Sequence, residues 1–277
     1  MPLKVLRTRR STTRSRRKGC ERFIMSMRTL LILVSLGILT AQSAYGTSAV
    51  IVWNPRTMVI GADGMVRAED LAVMKSVKPQ FCKIRRCGRQ YWAVMAGLYS
   101  SAGVGYDGWA IINQACEGSR TIQMAAQLAE TIIEPRLYSA VAHMKAIGSA
   151  EVARLEKAGV YLQFAIAGFN GTIPTVSARQ FRSGRDVNPV EFPGTDKFDP
   201  QSAGRLLMGD YQAFVNYEAT NPKWYFSNEV TSVIKDVLAD QIKLEPEVVG
   251  PPISILSIGQ HGATWIQKGL CGNKAFR

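Results

Sequence analysis

The chain has 277 residues, with 34 Lys or Arg against 21 Asp or Glu, a formal net charge of +13, and is 47% apolar and 20% charged. That composition excludes a collagen, a low-complexity chain and a largely disordered protein. The length suffices for one large domain or two small ones with a sizeable core, and the basic excess invites nucleic acid or an acidic membrane surface as partners unless it is confined to one segment.

It is confined. Residues 1–46 carry ten basic side chains between Lys4 and Arg28 and a single acid, Glu21, so +9 of the +13 sits there, while the remaining 231 residues hold 24 basic and 20 acidic side chains. Within this leader an apolar run, Leu30–Leu39, follows Met25-Ser-Met-Arg28 and leads to the small residues Ala41, Ser43, Ala44 and Gly46. Basic start, short apolar segment and small residues at a cleavage site are the parts of a secretory signal in their usual order. The run is too short for a membrane span, which needs roughly 20 apolar residues. Cleavage after Ala44 or after Gly46 fits the small-x-small rule, and the second would make Thr47 the new N-terminus. The stretch before Met25 is long for a signal start, so translation is expected to begin at Met25 or Met27; a nucleic-acid-binding arm or an organelle transit segment is the alternative. The expectation is an exported protein, periplasmic or secreted, with a leader at 1–46 and a working chain at 47–277. No nucleic-acid partner and no stable membrane span are expected of the mature chain.

In chain order, Thr47–Trp53 and Thr57–Ala62 are β-rich runs around the turn signal Asn54-Pro55, which predicts a hairpin. Phe81–Ile84 and Tyr91–Ala96 bracket Arg85–Gln90 and predict a second hairpin. From Ser101 to about Ala146 the apolar spacing becomes helical, with Trp109, Ile112, Ala115 and Cys116, then Ile122, Ala125, Ala126 and Ala129. Ser119 is the expected N-cap of the second helix, and Pro135 is expected to kink or end it. Tyr161–Ala167 and Pro174–Phe181 are strands around an Asn170-Gly171 turn, and Leu206–Met208 is a short strand. Ser227–Ile242 is an amphipathic helix with Val230, Val233, Ile234, Val237 and Leu238 on one face. Ile253–Ile258 and Ala263–Gln267 form a last hairpin. Segregated strands and helices predict one α+β domain of antiparallel sheets with helices packed on them. Without the leader's Cys20, four cysteines remain, Cys82, Cys87, Cys116 and Cys271; they form two bridges in one of three pairings or stay as buried thiols.

Common catalytic signatures are absent. Only His143 and His261 occur, too few for a histidine-based metal centre, and there is no Gly-x-Ser-x-Gly elbow, no phosphate-binding loop and no dinucleotide fingerprint. No cofactor is implied. What remains is the exposed start of the mature chain.

Gly46-Thr47-Ser-Ala-Val-Ile-Val, with Met58-Val-Ile-Gly-Ala-Asp63 after it, resembles the start of a proteasome β-type subunit, a family of the N-terminal nucleophile hydrolases, in an exported, bacterial-like form. The family places an acid sixteen residues after its Thr, as Asp63 stands to Thr47, and a Lys fourteen residues before the Gly of a Met-Ala-Gly turn, as Lys83 stands to Met95-Ala96-Gly97. Ala167-Gly-Phe-Asn-Gly171, Leu207-Met-Gly-Asp-Tyr211 and Gly250-Pro-Pro-Ile-Ser254 fall in the family's order, so the resemblance covers nearly all of the mature chain. It implies a four-layer αββα sandwich of two antiparallel sheets flanked by helices. It also implies a threonine-type peptidase or amidohydrolase without cofactor or metal, acting on peptides or small amides, alone or as a homo-oligomer.

The implied roles have a chemical logic. A Thr hydroxyl is a poor nucleophile without a base, and an N-terminal α-amine titrates at about 7.7–8.0, near working pH. Thr47 would therefore supply both Oγ and base once cleavage frees it. Lys83 would lower the proton affinity of that pair, Asp63 would hold Lys83 charged, and the Gly97 N–H would receive the oxyanion. Met95, Val66 and Arg67 would line the substrate pocket. The chain departs from the family around this set: Gly64-Met65 replaces Ser-Arg, Asp210 replaces a Ser, and Glu247 and Gly250 stand where the supporting Asp and Ser are expected. Asp210 or Glu247 is expected to take over as the orienting acid. With these departures the alternative is a catalytically inactive binding or assembly protein of the same fold.

Overall fold

The computed structural model describes residues 47–65, 81–184, 186–192 and 203–271. The chain is α+β with two five-stranded antiparallel sheets. The first has the order β10-β1-β2-β11-β12 and the second β3-β4-β7-β8-β9. In the first, β1 (Ser48–Trp53), β2 (Thr57–Ala62), β10 (Gly204–Gly209), β11 (Ser254–Gly259) and β12 (Gly262–Gln267) bring the start of the mature chain and its last hairpin together. The second is built from β3 (Ile84–Cys87), β4 (Tyr91–Gly97), β7 (Val160–Asn170), β8 (Ile173–Arg182) and β9 (Val187–Phe192). A small ribbon, β5 (Ser100–Ser101) with β6 (Tyr106–Asp107), leads into the helices α1 (Gly108–Glu117), α2 (Ile122–Ala146) and α3 (Ala150–Ala158); α4 (Gln212–Thr220) and α5 (Val230–Leu244) follow β10.

The unbroken apolar run of β1 has a simple cause: all six of its residues are buried, so both faces of the strand must be apolar. Alternate residues then go to different cores. Ala49 and Ile51 join Met58 and Ile60 in a cluster shared with Ile84, Val94, Ala165 and Val176 of the other sheet. Val50 and Val52 pack with Phe214, Trp224, Ile234, Val237 and Leu238, from α4, α5 and the turn between them. The second sheet has its own partner. Met95, Leu162, Phe164 and Phe181 share a cluster with Ile112, Ala126, Ile133 and Leu137 of α1 and α2.

The first hairpin forms as the sequence predicts. Asn54 Oδ1 accepts from the N–H groups of Arg56 and Thr57, at 2.9 and 2.8 Å, and β1 pairs with β2 from Ala49↔Ala62 to Trp53↔Met58. The second hairpin pairs Ile84–Cys87, not 81–84, with Tyr91–Val94, because its turn is tightened to the three residues before Tyr91. The helical region begins at Gly108 rather than Ser101. There Asp107 caps α1, its Oδ1 accepting from Trp109 N–H and Ala110 N–H at 2.9 and 3.1 Å. Thr121, not Ser119, caps α2, accepting from Met124 N–H at 3.2 Å. Pro135 neither ends nor divides that helix, which runs on to Ala146. The bond lost at Pro135 is offset by burial on both sides of it, of Ala129 and Ile133 before and Leu137, Ala140 and Val141 after.

The two bridges expected as one alternative form as Cys82–Cys271 and Cys87–Cys116. The sequence gives no sign of α3, α4, β9 or the short ribbon of β5 and β6. Among the described residues no helix is long and apolar enough to cross a membrane.

Helix α5 approaches the first sheet at Gly61, where an added Cβ would stand 2.3 Å from Ile234 Cγ2. Gly61→Ala should therefore cost about 1–3 kcal/mol through overpacking and Ile234→Ala about 2–5 kcal/mol through a cavity. The double variant should cost less than the sum by at least about 0.5 kcal/mol, measured by chemical denaturation; additive losses would contradict this contact.

Candidate active site

The site forms where β1 begins, β2 ends and β10 ends. Register explains the meeting: Ser48 lies opposite Gly209 across one ladder, and Ala49 lies opposite Ala62 across the other. Thr47 and Asp63 are the next residues outward, and both are buried, at 5% and 1% exposure. The backbone locks the corner. Asp63 N–H donates to Ser48 C=O at 3.1 Å and Asp210 N–H to Thr47 C=O at 2.6 Å.

Asp63 is the hub. Its Oδ1 accepts from Ser48 N–H at 2.8 Å and from Lys83 Nζ at 2.7 Å. Its Oδ2 accepts from Met65 N–H and Gly250 N–H, each at 3.1 Å. One carboxylate thus joins the peptide linking Thr47 to Ser48, the lysine ahead of β3 and the loop ahead of β11. Lys83 itself is 3% exposed. Burial pushes its ammonium below the ordinary 10.5, while Asp63, by charge and hydrogen bond, and then Asp210, by charge, pull the other way and hold the proton. Such a lysine is a compact positive charge whose proton is more readily lost than a surface lysine's.

Of the two acids expected to orient it, Asp210 is fully buried and close enough to act on Lys83, whereas Glu247 is exposed. The loop carrying Glu247 turns its backbone, at Gly250, toward Asp63 and leaves the Glu247 side chain at the surface, so of the two alternatives Asp210 is the one placed to act on Lys83.

Gly97 closes β4 with φ +99°, and a Cβ there would stand 2.4 Å from Tyr161 C=O, so only glycine fits. The end of β4 reaches the same corner. A Cβ on Gly209, which has φ +72°, would stand 2.0 Å from Thr47 C=O and 3.4 Å from Ala96 Cβ. Gly209 N–H donates to Gln163 Oε1 of β7 at 2.7 Å, tying the two sheets together beside Thr47. Met95 is buried at 1% exposure within the cluster shared with α1 and α2, where a Cβ on Gly108 would come within 2.7 Å of its methyl; it is a core side chain here. Val66 and Arg67 lie outside the described residues.

The departures around Asp63 form a matched set. A Cβ on Gly64 would lie 2.6 Å from Pro252 C=O, and one on Gly250 would lie 2.8 Å from Met65 Sδ. Gly64 N–H donates to Gly250 C=O at 2.9 Å. The two loops approach too closely for side chains at either glycine, and Gly250 brings a backbone donor to Asp63 instead. Gln163 carries no signal in the sequence, and Gly250 stands out there only as the place of an expected Ser, not as a backbone donor. Gly250 donates to Asp63 across 187 positions, and no local pattern announces such a contact. Among the described residues no group of three or more His, Cys, Asp or Glu could hold a metal ion.

No protein-family model and no curated protein matches the chain. Among solved structures it is similar to a mutant of Anbu from Hyphomicrobium sp. strain MC1, at 15% identity over 83% of this chain and 90% of that one, with a TM-score of 0.49.

Because Asp63 serves three backbone donors as well as Lys83, its loss should hurt more than the loss of its partner. Asp63→Ala strands a buried ammonium and three N–H groups, an expected cost of about 3–5 kcal/mol. Lys83→Ala leaves the carboxylate with its backbone donors and should cost distinctly less. Thermal unfolding of the two variants ranks them, and an equal or larger loss for Lys83→Ala would contradict the assignment of Asp63 as hub.

Proposed function

We propose that the chain is an exported threonine-type N-terminal nucleophile hydrolase, with a removable leader at 1–46 and one hydrolase domain at 47–277 folded as a four-layer αββα sandwich. The observation that carries this reading is the single oxygen, Asp63 Oδ1, that accepts both from Lys83 Nζ and from the N–H of the peptide following Thr47. That arrangement holds a buried positive charge beside the residue that cleavage would turn into an N-terminal threonine. The bridges Cys82–Cys271 and Cys87–Cys116 suit an oxidising compartment outside the cytosol, in line with export, and signal removal would take the place of self-processing.

The reaction proceeds in two halves. Thr47 Oγ attacks the carbonyl carbon of a peptide or amide bond while its proton passes to the Thr47 α-amine, which is neutral near its ordinary pKa. The Lys83 ammonium favours the neutral amine and the developing negative charge on Oγ. The Gly97 N–H receives the oxyanion of the tetrahedral intermediate. Collapse expels the amine product, which takes the proton from the α-ammonium, and leaves an acyl ester on Thr47 Oγ. Water, deprotonated by the same α-amine, then releases the acid and regenerates the enzyme. Asp63 and Asp210 keep Lys83 charged and in place throughout.

Purified from an exporting host, the protein should begin at Thr47 on N-terminal sequencing and hydrolyse peptide amides. Thr47→Ala should abolish turnover, Thr47→Ser should retain it, and Lys83→Ala should lower kcat by about 100-fold or more. A mature start at any other residue, or full turnover by Thr47→Ala, would refute the mechanism.

The pH–rate profile tests the role of Lys83 separately. Activity should rise as the α-amine loses its proton and fall again as Lys83 loses its own, so the alkaline limb lies below 10.5, the direction in which burial moves that group. Asp63→Asn removes the charge that favours the ammonium, so the residual activity of that variant should show its alkaline limb at lower pH. An unmoved or raised limb would count against Lys83 as the titrating group.

A further inference from the structure

Two disulfides grip the strand that Lys83 leads into. β3 is four residues long and, among the described residues, is an edge strand laddered to β4. Cys82, just ahead of it, is bonded to Cys271, and Cys87, its last residue, is bonded to Cys116 of α1. A short strand with a ladder on one side opens readily, and here covalent bonds hold both of its ends. They bear on Lys83 unequally. Cys87 lies inside the ladder, opposite Tyr91, whereas Lys83 lies ahead of the first pair, Ile84 with Val94. On the open side of Lys83, Phe81 N–H donates to Gly64 C=O at 2.7 Å, and Cys82, with its Cα about 3.8 Å from that of Lys83, carries the covalent hold.

The other end of this bridge returns to the same corner. Cys271 N–H donates to Lys268 C=O at 2.8 Å, and that carbonyl also accepts from Ser254 Oγ at 3.1 Å. Ser254 opens β11 opposite Ala62, the chain neighbour of Asp63. The residue before Lys83 is therefore bonded to a turn anchored on the strand beside Asp63. The two bridges also differ in access. Cys87 and Cys116 are both buried, whereas Cys271 is half-buried and, with Cys82, lines a cavity of about 710 Å³ at the edge of β3. A small thiol reaches the Cys82–Cys271 bridge more readily than the other.

We propose that the Cys82–Cys271 bridge is a redox switch that positions Lys83. Closed, it holds the ammonium on Asp63; opened by a dithiol, it releases the approach to β3 and lowers turnover. The inference rests on the hydrolase reading above and adds regulation to that site. The step is thiol–disulfide exchange. A thiolate of the dithiol attacks Cys271 Sγ, the protein S–S bond breaks and Cys82 leaves as a thiolate. The second thiol of the reductant then attacks its own sulfur in the mixed disulfide and releases Cys271. The dithiol gives up two electrons and ends as a disulfide, and its two protons end on Cys82 and Cys271. Export would then complete the site twice over, by freeing Thr47 and by closing the bridge.

The test compares the purified mature protein before and after dithiothreitol, with alkylation and peptide mapping to record which cysteines are reduced. Opening Cys82–Cys271 should lower kcat on a peptide amide by about 10-fold or more with KM little changed, because small misplacements near a nucleophile cost up to about 100-fold. Reoxidation should restore kcat. Acylation by an amine-directed active ester reads the position of Lys83 without turnover. Lys83, buried in the oxidised protein, should label about 10-fold faster or more once the bridge is open. Cys87→Ala with Cys116→Ala should keep the wild-type kcat and its response to the dithiol, whereas Cys82→Ala with Cys271→Ala should show the reduced kcat and no response. Loss of the fold by circular dichroism when this bridge alone is opened overturns the proposal, since the bridge would then be a staple of the whole domain. Peptide hydrolysis and Lys83 labelling that both ignore the dithiol overturn it as well and leave the hydrolase reading standing. Bridge-dependent labelling of Lys83 in a protein that cleaves no peptide would support the positioning role while sinking the hydrolase reading.

Discussion

The Asp63 carboxylate, buried and receiving Lys83 Nζ together with the N–H groups of Ser48, Met65 and Gly250, is the interaction on which the rest of the site depends. A buried charge of either sign is tolerated only when paired and hydrogen-bonded, and here each makes the other tolerable. Lys83 alone, at 3% exposure, would shed its proton; Asp63 alone would repel the interior. Together they pin three separate segments, the start of β1, the approach to β3 and the loop before β11, to one pair of oxygens. Everything the proposed chemistry asks of geometry follows from that pinning. The residue ahead of β1 is held at a corner, with a cation beside it and the backbone of Gly209 packed against its carbonyl.

Much of this corner was legible in the sequence, for reasons that differ by residue. The run Ser48–Trp53 reads as a strand because both its faces are buried, and Asn54-Pro55 reads as a turn because Asn54 Oδ1 can bond its own backbone. The spacings that singled out Asp63 and Lys83 meet in a direct contact. Other parts were not legible. Asp63 reaches Gly250 over 187 positions and Cys82 reaches Cys271 over 189, distances at which sequence carries no local signal. Helices α3 and α4 are nine residues each, too short for periodicity to stand out. Pro135 does not end α2: the local rule of the missing N–H is outweighed by burial along the whole of that helix.

The departures around Asp63 also change meaning in three dimensions. Read one residue at a time, Gly64, Asp210 and Gly250 look like the loss of supporting side chains. In space, Gly64 and Gly250 admit the close crossing of two loops, which supplies Asp63 with a backbone donor. Asp210 lies buried near Lys83, and Glu247, which sequence order offered as an orienting acid, stays at the surface. The charge excess is likewise a property of one segment: +9 of +13 belongs to residues 1–46.

The central claim is that Thr47 Oγ is the nucleophile, activated by its own free amine beside Lys83. The most direct measurement is mass spectrometry of the mature protein after reaction with a threonine-directed electrophile such as a β-lactone, with peptide mapping of the adduct. The account predicts one adduct per chain, located on Thr47, lost in Thr47→Ala and strongly slowed in Lys83→Ala. An unmodified Thr47, or an adduct on another residue that persists in Thr47→Ala, would contradict it.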